Sequence, residues 1–368
     1  MNFIDLKTRL DRVREKVDQR MAAVLDHGQF ILGPEVAELE HTLAACVGVK
    51  HCVGVSSGTD SLLIALMALE IGTGDEVITV PYTWISTAEV IALTGAKPVF
   101  VDVDAKTWNM NPDLLEDAIT SDTKAIMPVG IYGQTADMAP INQIADRHNL
   151  PVIEDAAQSF GATYHGRKSC ALSTIGSTSF FPSKPLGGFG DGGALFTDDD
   201  ELAEKFRWIR VHGQERKHHH PVLGLNGRLD TIQAAALLAA FELFPEEVDQ
   251  RQAIGARYSS LISKMDGLGI TVPCVAEGST SVYAQYTILS EDRDSLQAFL
   301  KASDVPSVAY YTVPLHLQPV FAGLNYQHGD FPVTEQIADQ CLSLPMSAYL
   351  PDADQERVVQ VLGEANSS

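Results

Sequence analysis

The chain has 368 residues, 45% of them hydrophobic, and a formal charge of −22 from 26 Lys and Arg against 48 Asp and Glu. That length and apolar content suffice for a large buried core, in two domains or in one large domain with an appendage. The charge disfavours nucleic acid and anionic membranes as partners, so small molecules are the expected ligands.

The amino terminus, MNFIDLKTRLDRVREK, is charged throughout and is not built like a secretory signal. No apolar run approaches the roughly 18 residues of a membrane span, so a cytoplasmic location is expected. The short β-branched runs His51–Ser57, Asp75–Val80, Lys97–Asp104, Lys124–Gly133 and Leu150–Ser159 read as strands. Between and after them the stretches Ser61–Glu70, Ser86–Leu93, Pro112–Ile119 and Ile141–His148 read as helices. This βαβ alternation predicts an α/β fold with a mostly parallel sheet covered on both faces, and such sheets hold ligands at the carboxyl ends of their strands. A strand over Ala194–Thr197, a helix through Glu201–Val211 and an Ala/Leu-rich helix from about Leu229 to Phe241 follow. Beyond Pro245 the pattern changes to a strand in SVYAQYTILS, a helix in SLQAFLKASD and proline-rich loops. A domain boundary is expected there, and no low-complexity linker separates the parts.

Cys46, Cys52, Cys170, Cys274 and Cys341 have no paired spacing, which fits reduced thiols better than disulfides or a zinc site. The internal run His218–His220 lacks other nearby ligand candidates and is not read as a metal site. Gly188, Gly190 and Gly193 match G-x-G-x-x-G, but the residues that follow read as a strand rather than a helix, so a nicotinamide site is not expected. These glycines instead suit a turn, or backbone passing close to a bound group.

The same run carries Lys184, in SFFPSKPLGGFGDGGALF. Phe180, Phe181, Pro182 and Pro185 offer the apolar surroundings that lower a lysine pKa and prepare it for Schiff-base chemistry. Taken alone, the stretch reads better as a lysine whose stem lies on apolar surface with its head in water. Pyridoxal phosphate would add three requirements: an anion site, a carboxylate at the pyridine nitrogen and a flat group over the ring. Gly58 and Thr59 open a helix after a strand and present free amides to a phosphate, or belong to an ordinary Ser/Thr/Asp cap. Asp155 lies just past a buried strand, where its carboxylate would meet the ring nitrogen. Trp84, also after a strand, would stack on the ring or serve as core.

Taken in chain order, GQFILGPEVAELE, SSGTDSL, DEVITVPYTWISTAEVI, GAKPVFVDVD, VIEDAAQSFGA, SFFPSKPLGGFGDGGALF, NGRLDTIQAA and VPLHLQP resemble the sugar aminotransferases of the DegT/DnrJ/EryC1/StrS family, a branch of the fold type I pyridoxal phosphate enzymes. The resemblance implies a large cofactor-binding domain over residues 1–245 and a smaller C-terminal α+β domain over 246–368, with the N-terminal segment able to pack on the latter. It implies pyridoxal 5'-phosphate held covalently by Lys184, Asp155 at the pyridine nitrogen, Gln158 at the ring hydroxyl, Trp84 over the ring, and Ser179 with Gly58 and Thr59 around the phosphate. Asn226 would reach the phosphate from a neighbouring subunit, in a homodimer with shared active sites. Dehydrating relatives carry histidine where this chain has Lys184, so transamination is implied, with L-glutamate donating to a nucleotide-linked keto sugar. The stretch from Arg210 to Ala235 is most similar to enzymes acting on UDP-linked 2-acetamido-3-oxo-glucuronate, and Arg228 would meet that sugar's carboxylate. The basic residues Arg207, Arg210, Arg216, Lys217 and Arg228 would receive the diphosphate, or form a solvated helix face. Tyr310, Tyr311 and Thr312 depart from the usual His-Tyr-Pro near the sugar, which leaves open another dTDP-, GDP- or UDP-linked 3- or 4-keto sugar, and a non-catalytic pyridoxal phosphate-binding regulator.

Overall fold

The computed structural model describes residues 1–265, 267 and 269–365. In chain order the elements are α1 (Leu6–His27), α2 (Pro34–Val47), β1 (His51–Val55), α3 (Gly58–Ala68), β2 (Glu76–Thr79), α4 (Ser86–Leu93), β3 (Lys97–Phe100), α5 (Leu115–Ala118), β4 (Thr123–Ile126), α6 (Met138–His148), β5 (Ile153–Asp155), β6 (Thr163–Tyr164), β7 (Arg167–Lys168), β8 (Ile175–Ser179) and β9 (Gly193–Thr197). They continue with α7 (Asp200–Ile209), α8 (Thr231–Phe241), α9 (Phe244–Ile262), β10 (Ile270–Thr271), β11 (Tyr286–Ser290), α10 (Arg293–Ala302), α11 (Pro332–Gln340), β12 (Cys341–Leu344) and α12 (Asp352–Ala365).

The main sheet runs β1-β9-β8-β5 and, through the parallel bridges Ile126–Val152 and Val129–Asp155, continues into β4-β2-β3. Only β9 runs against its neighbours β1 and β8. The carboxyl ends of β1, β2, β5 and β8 therefore share one edge with the start of β9. The short apolar strands are buried on both faces, as parallel strands between helices must be. Leu62, Ala65 and Leu66 of α3 pack with Phe206 of α7 on one side, and Leu237 of α8 packs with Leu39 of α2 on the other. A smaller antiparallel sheet, β10-β11-β12, packs with α10 and α12 around Ile288, Leu342, Leu300 and Val358.

Two expectations change. The helix expected at Pro112–Ile119 is a three-residue 3-10 turn followed by the four residues of α5. The long helix α9 begins just where the sequence pattern breaks, because Pro245 occupies its first turn, where a missing N–H costs nothing. Phe244 and Val248 of α9 join the large core, whereas Ile254, Tyr258 and Ile262 join the small one.

Candidate active site

The carboxyl edge of the sheet opens on a cleft of ≈ 390 Å³ lined by Gly58, Thr59, Trp84, Asp155, Gln158, Ser179, Lys184, Tyr310 and Tyr311. Four strand ends thus bring together residues separated by up to 253 positions, from Gly58 to Tyr311.

At the end of β1, Ser57 caps α3 by accepting from the Asp60 amide at 3.0 Å. The amides of Gly58 and Thr59 then have no acceptor within the helix and sit at its positive end, which suits an anion. Gly58 is packed so closely on β8 that a Cβ there would lie 2.6 Å from the Ser179 Cβ. Gly193 likewise starts β9 where a Cβ would lie 2.8 Å from the Gly58 nitrogen. This close backbone approach accounts for a glycine of the run that mimics a dinucleotide fingerprint. Gly58→Ala is expected to destabilise the fold by about 1–3 kcal/mol through overpacking, and to weaken phosphate-dependent ligand retention, as thermal melting with and without pyridoxal phosphate will show.

Asp155 ends β5 in a buried position, where its carboxylate accepts from Thr87 Oγ1 at 2.8 Å and from the Ala157 amide at 3.1 Å. Burial raises its pKa, and those two donors act in the opposite sense. Lys184 lies in the loop after β8, its amide donating to the Phe181 carbonyl at 2.8 Å. Its side chain faces the cleft, and desolvation lowers its pKa while the charge of Asp155 raises it. Phe180 is buried beneath the loop and Phe181 stands at the rim. Gln158 accepts from the Tyr132 amide at 2.9 Å through Oε1 and donates to the Tyr311 hydroxyl at 2.9 Å through Nε2, which keeps one N–H for a ligand. Trp84 is 60% exposed at the cleft and offers an aromatic face.

Asn226 and Arg228 do not line this cleft. They lie in a bridged segment beside Val211 and Val55, with Asn226 exposed and Arg228 half-buried. The Arg228 Nε is buried without a hydrogen-bond partner among the described residues. The expected diphosphate cluster is also corrected in part. Arg210 is buried, donating to Glu40 Oε1 and to the Gly54 carbonyl, so its charge is spent on holding α2 to β1.

Three contributors were not expected from the sequence: Thr87, Tyr132 and Tyr82. Thr87 sits in the first turn of α4 within the PYTWISTAE motif, three residues after Trp84, and its spacing could have suggested a partner for Asp155. Tyr132 stacks on Tyr311 with ring centroids 6.3 Å apart, and its hydroxyl pairs with that of Tyr82 at 2.6 Å. Tyr132 and Tyr311 both hold positive φ, 57° and 63°, a strained backbone for aromatic residues.

Glu154, next to Asp155, points into the opposite, fully buried side, where Oε2 accepts from the Cys170 amide at 2.8 Å and Oε1 has no hydrogen-bond partner among the described residues. Desolvation pushes its pKa up to about 8 from the ordinary 4.5. A carboxyl with a raised folded pKa contributes stability at low pH and loses it as pH rises through the folded value. Glu154→Gln is expected to flatten the fall in melting temperature between about pH 4.5 and 8, a window that thermal melts across pH resolve.

A profile of the DegT/DnrJ/EryC1/StrS aminotransferase family matches residues 11–363. The chain belongs to this family. It is 52% identical to the UDP-2-acetamido-2-deoxy-3-oxo-D-glucuronate aminotransferase of Pseudomonas aeruginosa, over 96% of this chain and 97% of that one. It is 40% identical to the dTDP-3-amino-3,4,6-trideoxy-alpha-D-glucose transaminase of Streptomyces venezuelae, over 98% and 95% respectively. The crystal structure of NtdA from Bacillus subtilis with bound cofactor PMP superposes with a TM-score of 0.92 at 30% identity, covering 100% of this chain and 85% of that one. This DegT/DnrJ/EryC1/StrS aminotransferase has the fold type I architecture and is dependent on pyridoxal phosphate. Its residues fit that group: a helix end and glycine-tight floor for a phosphate, a buried carboxylate, and a desolvated lysine beside it. No helix among the described residues is long and apolar enough to cross a membrane.

Proposed function

We propose that this aminotransferase moves the amino group of L-glutamate onto the C3 keto carbon of UDP-2-acetamido-2-deoxy-3-oxo-glucuronate in the cytoplasm. The observation that carries the reaction is Lys184, desolvated and facing the same cleft as the buried carboxylate of Asp155. The choice of sugar rests on the likeness to the Pseudomonas aeruginosa enzyme. Incubation with that sugar nucleotide and L-glutamate should yield the 3-amino sugar and 2-oxoglutarate by mass spectrometry. Amination of a dTDP-linked 3-keto sugar instead would move the enzyme to the second reading, which the Streptomyces venezuelae relative supports.

Pyridoxal phosphate, when bound, supplies the electron sink for the reacting carbon. The amides of Gly58 and Thr59 with Ser179 Oγ would hold its phosphate, and Trp84 would cover its ring. Asp155, whose carboxylate accepts from Thr87 Oγ1 and the Ala157 amide, would favour a protonated pyridine nitrogen. Desolvation lowers the Lys184 pKa and so favours the uncharged amine, and Nζ would take the proton from the α-carbon of glutamate. In the second half Nζ returns a proton to the former keto carbon of the sugar. Tyr310 and Tyr311 form the wall against the hexose.

The working unit in this reading is a homodimer. Ile31 and Leu223, 53% and 87% exposed, flank the segment that carries Asn226 and Arg228. The Ile31–Asp230 bridge and the bond from the Thr231 amide to the Phe30 carbonyl set that apolar loop against it. Covering this face with a second copy would carry Asn226 to the partner's phosphate site and Arg228 to the sugar carboxylate. Leu223→Asp is expected to shift the protein from dimer to monomer in sedimentation velocity and to lower turnover at least tenfold, an order-of-magnitude figure for a charge buried at an interface.

A further inference from the structure

The lysine loop is anchored from a distance by the first helix. Arg9 of α1 is buried, and its guanidinium makes a bidentate pair with Glu247 of α9, Nε to Oε1 at 2.8 Å and Nη2 to Oε2 at 2.7 Å. The same Nη2 donates to the carbonyl of Pro185 at 2.8 Å, one residue beyond Lys184. Glu247 is in turn held by the hydroxyl of Tyr349, from the loop before α12. Proline has no N–H with which to fix its own position, and within the loop the backbone bonds are those of Lys184 to Phe181 and of Gly188 to Phe180. A charged, planar donor engaged at three points restricts the Pro185 carbonyl far more closely than a flexible ammonium would. A second pair, Arg12 with Glu246, ties the same two helices at the surface without touching the loop. Arg9 differs from Arg12 in being buried and in reaching the backbone of the lysine loop at Pro185.

We propose that Arg9 is a positioning residue, which with Glu247 fixes the Lys184–Pro185 backbone so that the lysine amine meets its reaction partners in one orientation. The proposal rests on the assignment of Lys184 as the reactive amine. It also couples the loop to Tyr349, so the C-terminal part of the chain bears on the position of the lysine.

The test uses the full chain with Arg9→Lys, Glu247→Gln and, as a control, Arg12→Ala. Hydrogen exchange of the apo-protein over residues 181–188 should speed up about tenfold or more in Arg9→Lys, as loss of a charge-assisted hydrogen bond predicts, with a similar effect in Glu247→Gln and none in Arg12→Ala. With pyridoxal phosphate bound, kcat should fall about tenfold in both variants while KM for each substrate stays within about twofold, the signature of lost orientation. Unchanged loop exchange in either folded variant, or an equal change in Arg12→Ala, overturns the proposal. Borohydride reduction of the unaltered protein followed by peptide mapping separates the two claims. An adduct missing from Lys184 refutes the functional reading, whereas the loop exchange of the apo-protein tests Arg9 whichever residue holds the cofactor.

Discussion

Replacing Lys184 with alanine is expected to lower turnover by about 10³-fold or more, because in the proposed reading one side chain both carries the cofactor and moves the proton, and general acid–base catalysis alone is worth about 10²–10⁴. The fold should survive, since the loop is held by backbone bonds at Lys184 N and Gly188 N rather than by the lysine head. The proposed phosphate site at Gly58, Thr59 and Ser179 does not include the amine, so part of the cofactor affinity should remain. Single-turnover assays of the purified variant, with cofactor content measured in parallel, check both statements. Turnover within tenfold of the unaltered protein would remove Lys184 from the chemistry.

Asp155→Asn is expected to leave melting temperature unchanged or slightly raised while kcat falls about 10²–10³-fold, the usual cost of deleting one preorganised electrostatic partner. The amide is close to isosteric and its oxygen can still accept from Thr87 Oγ1, while the burial penalty that raises the Asp155 pKa disappears with the charge. The charge goes together with one acceptor, the oxygen that faces the Ala157 amide, and that loss offsets the relieved burial penalty, so stability should change little while the rate falls. The direction of a second effect follows from the same pair. Asp155 raises the Lys184 pKa against desolvation, so its neutralisation should lower that pKa further and move the acid limb of the pH–rate profile downward. An acid limb moved upward in Asp155→Asn would show that the two groups do not interact as described.

Much of this was legible in the sequence because the chemistry sits on strand ends. The runs before Ser57 and after Pro151 are short, β-branched and apolar, so their limits predict where a ligand can lie. The helix start after Ser57 is written in its capping residues, and the strand character of Ala194–Thr197 exposes the false dinucleotide fingerprint. What local pattern cannot show is which distant residue closes a contact. Thr87 meets Asp155 across 68 positions, and Tyr132 adopts a backbone that its own side chain disfavours because Gln158 holds its amide. Arg210 looked free for a phosphate because Glu40, 170 residues away, is its partner. The helix α9 was missed because Pro245 reads as a breaker unless its place in the first turn is known.

That helix has a further consequence. A single rod whose first half is rooted in one apolar interior and whose last half is rooted in another links the melting of the two, because neither can open fully while the helix stays intact. Heat or denaturant should therefore melt this molecule in one cooperative step, and a protease that cuts the rod should release no surviving fragment.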